Sequence, residues 1–218
     1  MNQLLITSML FGAILTTQGQ SQMKFSVHAD PQFAWFSSDE EEVTPDGSIF
    51  HIQTGIQMDL FFDKNYAFTL GFGINNMGGN LLYSDSTKFI SKEDTIFATP
   101  GQTVKHNLQY FDIPFGLKLK TEELGYATFF LEIGFNPMIN INASATTKDD
   151  SFDKENIRED THLFNLGYHT GIGVEYRLGG STSAIGGVRW TSGLTDVSSN
   201  DKAKITMNAI SFHLGILF

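Results

Sequence analysis

Three features of this sequence predict an all-β chain folded as an eight-stranded antiparallel up-and-down transmembrane β-barrel. Apolar residues recur with a period of two almost from end to end, the signature of strands with one apolar face. Connections alternate strictly between short and long along the chain. The glycines gather on the polar face of the strands, while bulky side chains crowd the other.

The elements follow in order. Residues 1–22, MNQLLITSMLFGAILTTQGQSQ, carry an apolar run from Leu4 to Leu15 followed by small and polar residues. The run has the length of a signal-peptide core and is too short to span a bilayer as a helix. A signal peptide is therefore expected over 1–22 and one barrel domain over 23–218. The amino-terminal region lacks the usual Lys or Arg. The first strand, Lys24 to Ser37, sets Phe25, Val27, Ala29, Phe33 and Trp35 on its apolar face. The second alternates Ile52, Thr54, Ile56, Met58 and Leu60 against Gln53, Gly55, Gln57 and Asp59. In the third, Phe68, Leu70, Phe72 and Ile74 oppose Thr69, Gly71, Gly73 and Asn75. The fourth sets Phe111, Ile113, Phe115, Leu117 and Leu119 against Tyr110, Asp112, Pro114, Gly116 and Lys118.

In the fifth strand Phe129, Leu131, Ile133 and Phe135 oppose Phe130, Glu132, Gly134 and Asn136. The sixth sets Leu166, Tyr168, Ile172, Val174 and Tyr176 against Gly167, His169, Gly171, Gly173, Glu175 and Arg177. The seventh, around Ala184 to Leu194, is weaker, with Val188 and Trp190 facing away from Arg189 and Thr191. The eighth is the terminal MNAISFHLGILF, with Ile210, Phe212, Leu214, Ile216 and Phe218 on one face. DKN, TEELG and GGSTS form the short turns, and long polar segments form the other connections. In a meander this puts every turn at one end and every loop at the other, as in outer-membrane barrels.

A soluble lipocalin-like ligand carrier would share the strand count, so the direction of the faces decides. A lumen of eight strands is narrow and must accept many small inward residues. The glycine-bearing face is therefore inside and the bulky face outside, where it needs lipid. Backbone satisfaction in a bilayer requires the first and last strands to meet, so Phe218 is expected at the seam. Trp35, Tyr66, Tyr126, Tyr176, Trp190 and Phe218 fit interfacial aromatic girdles.

The stretches YFDIPFGLKLK (110–120) and FFLEIGFNPMINI (129–141) resemble the PorT-like family of small outer-membrane β-barrels of Bacteroidetes-type bacteria. The resemblance implies an eight-stranded barrel in the outer membrane, reached by export through the inner membrane. Phe218 is similar to the carboxy-terminal assembly signal that barrel-assembly machinery reads. An accessory component of a type IX protein secretion system, the role for which the PorT-like family is named, is the alternative reading, which the resemblance does not itself imply.

The net charge of −10 argues against nucleic acid as a partner, and the absence of Cys removes thiolate sites and nucleophiles. His28, Asp30, Asp59, Asp112, Lys118, Glu132, His169, Glu175, Arg177, Arg189 and His213 fall on the inward face. They are expected to form a structural network that fills the lumen and leaves no open pore. As a metal set His28 and His213 lack a third ligand apart from Asp30, so hydrogen bonding is their expected role. Ser211 and His213 share a face without an oxyanion site, and no enzyme activity is expected. No cofactor is implied, because GFGINN and GIGVEY sit inside strands without the strand-turn-helix context of a dinucleotide site.

Sixteen of the 24 acidic residues fall in the four long loops. Like-charged loops of this kind are hydrated and give the chain its outward-facing interaction surface. The expected partners are outer-membrane lipid and lipopolysaccharide, the assembly machinery during insertion, and a secretion or surface protein. The role that emerges is structural or interactive.

Overall fold

The computed structural model describes residues 22–40, 43–85, 87–90, 95–147, 154–199 and 204–218, with backbone alone for 87–90 and 95–98. The segment expected to be a signal peptide lies outside the described residues except for residue 22, as do parts of the long loops. Eight long strands form the body of the molecule. They are β1 (Met23–Ser38), β2 (Ile49–Asp63), β3 (Tyr66–Tyr83) and β4, which runs as Gln102–Asp112 and resumes as Phe115–Lys120. They continue as β5 (Ala127–Thr147), β6 (Phe164–Gly179), β7 (Thr182–Gly193) and β8 (Ile205–Leu217).

Each strand pairs antiparallel with the next, and β8 returns to β1 from Ser26↔Leu217 to Ser38↔Ile205. The ring is closed, so no sheet edge is left in the spanning region. At its end Phe218 exchanges main-chain hydrogen bonds with Phe25, 2.7 Å for Phe218 N–H to Phe25 O and 3.4 Å for the reverse. Phe218 lies at the end of the barrel that carries the short turns, with its side chain outside.

Pro114 removes one N–H from β4, and the strand kinks there without losing its neighbours. Gly71 donates to Pro114 O at 2.7 Å, and Ile113 donates to Pro137 O at 3.0 Å. The two-residue turn between β6 and β7 depends on Gly180, whose φ of +59° suits a residue without Cβ.

The faces run as the alternation predicts. Val27, Phe33, Ile56, Phe68, Phe72, Phe135, Ile172 and Phe212 all point outward and are exposed. Tyr66, Tyr126, Tyr176 and Phe218 ring the turn end, with Tyr126 and Tyr176 6.2 Å apart between ring centres. A soluble carrier keeps its bulky apolar face inside, so this orientation removes that alternative.

Two features depart from the sequence reading. The strands around the second and third long loops run further than expected, to Tyr83 in β3, from Gln102 in β4 and to Thr147 in β5. The alternation in β5 also changes phase. Tyr110 pairs with Asn140 but Gln109 pairs with Asn142, so Ile141 is an extra residue in a bulge. Beyond it the odd-numbered Ala143 and Ala145 turn inward and are fully buried.

The physical reason for both is a second core. Inside the loop end, Phe36, Met77, Leu81, Val104, Leu108, Tyr110, Ala143, Ala145 and Met207 pack as one apolar cluster. Polar Asn76, Lys105, Ser144 and Thr146 face outward at the same height. There the sheet has the orientation of a water-exposed protein, apolar inside and polar outside, and it carries the strands beyond the lipid-facing band.

Candidate functional site: an ionic chain inside the barrel

Below the apolar cluster the inward positions change character. Small residues on one strand make room for long or ringed side chains on its neighbours. A Cβ at Gly134 would lie 2.2 Å from Phe115 O and 2.7 Å from His169 Cε1. A Cβ at Gly55 would lie 2.8 Å from His28 Nε2. The glycines on the polar face are therefore where the lumen side chains sit.

Lys118 Nζ lies 2.8 Å from Asp59 Oδ2 and 3.0 Å from Glu175 Oε1. Its ammonium also sits 4.6 Å from the centre of the Phe130 ring. Lys120 pairs with the second oxygen of Glu175. Gln57 Nε2 bridges carboxylates, donating to Asp59 Oδ1 at 3.0 Å and Glu132 Oε2 at 3.3 Å. Glu132 Oε1 then receives Arg189 NH2 at 3.0 Å and meets His169 Nε2 at 3.2 Å.

From His169 the chain climbs. Its Nδ1 lies 2.6 Å from Asn136 Oδ1, and Asn136 Nδ2 donates to both oxygens of Asp112 at 3.2 and 3.3 Å. Gln53 Nε2 and Asn75 Nδ2 complete the Asp112 shell at 3.0 and 3.5 Å. Asp112 is held by amides with no cation in hydrogen-bond contact. Buried carboxylates of this kind are tolerated only when their lone pairs are met.

On the seam side Asp30 is fully buried between two imidazoles. Its Oδ2 lies 3.0 Å from His213 Nδ1 and 3.0 Å from His28 Nδ1. His213 hydrogen-bonds with it, whereas His28 Nδ1 is not aligned for a hydrogen bond. Asp30 Oδ1 accepts the main-chain N–H of Leu214 at 3.2 Å. Paired β1–β8 residues are interrupted between His28↔Gly215 and Gln32↔Ser211, where Pro31 has no N–H to offer. The Asp30 carboxylate takes over a main-chain donor that the interrupted ladder leaves free.

Ten of the residues expected in the lumen are thus brought together: His28, Asp30, Asp59, Asp112, Lys118, Glu132, His169, Glu175, Arg189 and His213. Arg177 is not among them. Its guanidinium stands at the turn-end rim, 49% exposed, paired with Glu123. The strand alternation points it inward, but it sits two residues from the turn, where the barrel opens. The sequence reading missed Lys120 and the amides Gln53, Gln57 and Asn136 as members of the chain. Their inward parity was the available signal, since each falls on the same face of its strand as the lumen glycines and charges.

The turn-end mouth holds a cavity of about 460 Å³, lined by residues that include Lys24, Lys120, Glu123, Glu175 and Arg177. Lys120 and Glu175 form its floor toward the ionic chain.

The sequence profile of the family described as "Outer membrane protein beta-barrel domain" matches residues 18–199. The chain belongs to that family. Its place is the outer membrane, with short turns at the periplasmic end and long loops outside. Among curated proteins none matches the sequence. Solved structures similar to it are outer-membrane barrels. Neisserial surface protein A is 15% identical, covering 88% of this chain and 95% of its own, with a TM-score of 0.48. Ail of Yersinia pestis, solved with the heparin analogue sucrose octasulfate, is 11% identical and covers 92% of this chain and 100% of its own, with a TM-score of 0.46. OprG of Pseudomonas aeruginosa is 12% identical and covers 92% and 97%, with a TM-score of 0.43. The family match, and the closed ring with its lipid-facing band, are what place this outer-membrane barrel.

Proposed function

We propose that this barrel does not conduct and that its role is structural or interactive, exercised through its acidic external loops. One observation carries the reading: buried side chains pack inside the barrel at two heights. The ionic chain from Glu175 to Asp112 crosses the lower half, and the cluster around Met77, Leu81 and Leu108 fills the upper half. A hydrated ion would have to displace buried, mutually paired charges and then cross an apolar layer. Above them, Glu40, Asp46, Glu155, Glu159 and Asp160 give the described parts of the loops an acidic surface. That surface suits basic partners and divalent cations at the lipopolysaccharide layer. Phe218, hydrogen-bonded to Phe25 at the periplasmic seam, is the proposed assembly signal.

The test is single-channel recording of the purified full chain in planar bilayers. The expected result is no stable conductance, and a reproducible open state would overturn the reading.

The accessory secretion role is suggested by, and not implied by, the PorT-like resemblance of 110–120 and 129–141. It requires that deleting the gene block export of other proteins. Unchanged export would leave the structural role.

A further inference from the structure

The lumen carries an imbalance that its own side chains do not remove. Five carboxylates, Asp30, Asp59, Asp112, Glu132 and Glu175, are buried there. Against them stand the buried cations Lys118 and Arg189, and Lys120, whose side chain is 8% exposed. These carboxylates outnumber the fixed cations by two. In a medium of low polarity such an excess is costly unless protons or a cation balance it.

One place in the lumen has the donors to hold a cation. His28, Asp30 and His213 each offer one ligand atom, all within 4.8 Å of one another. Each nitrogen lies 3.0 Å from Asp30 Oδ2, so two edges of the ligand triangle are close to the ~3.3 Å edge of a tetrahedron with ~2.0–2.1 Å metal–nitrogen bonds, and the third, between the nitrogens, lies within 4.8 Å. His28 Nδ1 is buried and without a hydrogen-bond partner, and it points at this space. A buried imidazole nitrogen that faces a carboxylate without an aligned hydrogen bond is left for another partner to satisfy.

The surroundings are arranged as a metal's outer shell is. The Leu214 N–H fixes Asp30 Oδ1 and aims Oδ2 between the rings. Gly55 gives up its side-chain volume so that the His28 ring can stand where it does. Arg189 NH1 approaches Asp30 Oδ2 at 3.9 Å, but its NH2 is held by Glu132 at 3.0 Å, which keeps the guanidinium outside the ligand triangle.

We infer that His28, Asp30 and His213 form a binding site for one divalent transition-metal ion of the zinc class, bound through two imidazole Nδ1 atoms and one carboxylate oxygen. Two imidazoles and a carboxylate favour zinc, cobalt, nickel or copper over magnesium or calcium. The ion staples β1 to β8 where Pro31 interrupts their ladder, and its two positive charges cancel the lumen's excess. Each imidazole binds through Nδ1 with its remaining proton on Nε2.

The test uses the full chain refolded in detergent, stripped with a chelator and titrated with Co²⁺, whose visible absorption reports its ligand geometry. The expected result is one Co²⁺ per chain, displaced by Zn²⁺. His28→Gln and His213→Gln should each weaken binding by more than ~10-fold, whereas His162→Gln, at an exposed position outside the lumen, should leave it unchanged. Heat-modifiable gel mobility checks that each variant is folded. Should a variant fail to fold, X-ray absorption on the zinc-loaded wild-type chain takes its place, and two imidazoles in the inner shell are expected. Folded wild-type protein that binds no Co²⁺ would overturn the assignment. So would binding that survives both substitutions, or an inner shell without imidazole.

Discussion

Lys118 of β4 and Asp59 of β2 meet at 2.8 Å although β3 lies between their strands, and each side chain is 1% exposed. The contact is possible because β3 contributes Ala67 opposite Lys118 and Thr69 opposite Asp59, residues too small to separate them. An ion pair between strands that are not neighbours ties β2 to β4 across the inner face of β3, which main-chain pairing alone cannot do.

Lys118→Met should therefore destabilise the barrel strongly, because it leaves Asp59 without its cation and takes one of two from Glu175. A buried pair broken on one side costs about 3–5 kcal/mol. Urea unfolding of the refolded chain in detergent measures it. Adding Asp59→Leu to Lys118→Met should recover part of the loss, since two apolar groups leave one fewer buried charge unmet.

Gly134→Ala should impair folding, while Gly186→Ala should not. At Gly134 the added carbon meets the backbone oxygen of Phe115 and the ring of His169, and at Gly186 nothing lies within 4 Å. Folded fraction on unheated gels is the readout, with Gly186→Ala expected to match wild type.

Phe135→Arg, midway along the lipid-facing run of β5 from Phe129 to Ile141, should cost about 2–4 kcal/mol for the cation alone. The same change at Phe129, at the turn end of that run, should cost about 0–1 kcal/mol by the same term. Unfolding free energies in lipid vesicles separate the two. Equal costs would mean that depth does not matter and that this face does not meet hydrocarbon.

Leu81→Ala should cost about 2–5 kcal/mol despite its distance from the lipid-facing band, because Leu81 is 1% exposed in the upper cluster. Chemical unfolding checks it against wild type.

The strands and their facing were legible because a membrane barrel writes its geometry with a period of two. Ile56 outward and Gln57 inward follow from their positions alone. Most of the ionic chain followed in the same way, since Asp59, Lys118, Glu132 and Arg189 each fall on the inward alternation of their own strand. Two things were not legible. The bulge at Ile141 inserts one residue and reverses the parity of Ala143 and Ala145, and no residue type marks it. The upper core was hidden because Leu81, Val104 and Leu108 lie among polar residues that read as loop. They turn inward only because their strands pair beyond the membrane. Arg177 shows the limit of parity itself: it gives direction, and burial depends on distance from the barrel's mouth.

The account depends on the bulky apolar side chains facing acyl chains. The chain has no Cys, so a single introduced Cys carries a nitroxide label at a chosen site without background. With labels at Ile56, Leu131 and Ile172 in lipid vesicles, collision rates should be high with oxygen and low with a water-soluble nickel complex. The reverse pattern at these three sites would mean that this face meets water, and the barrel described here would be inside out.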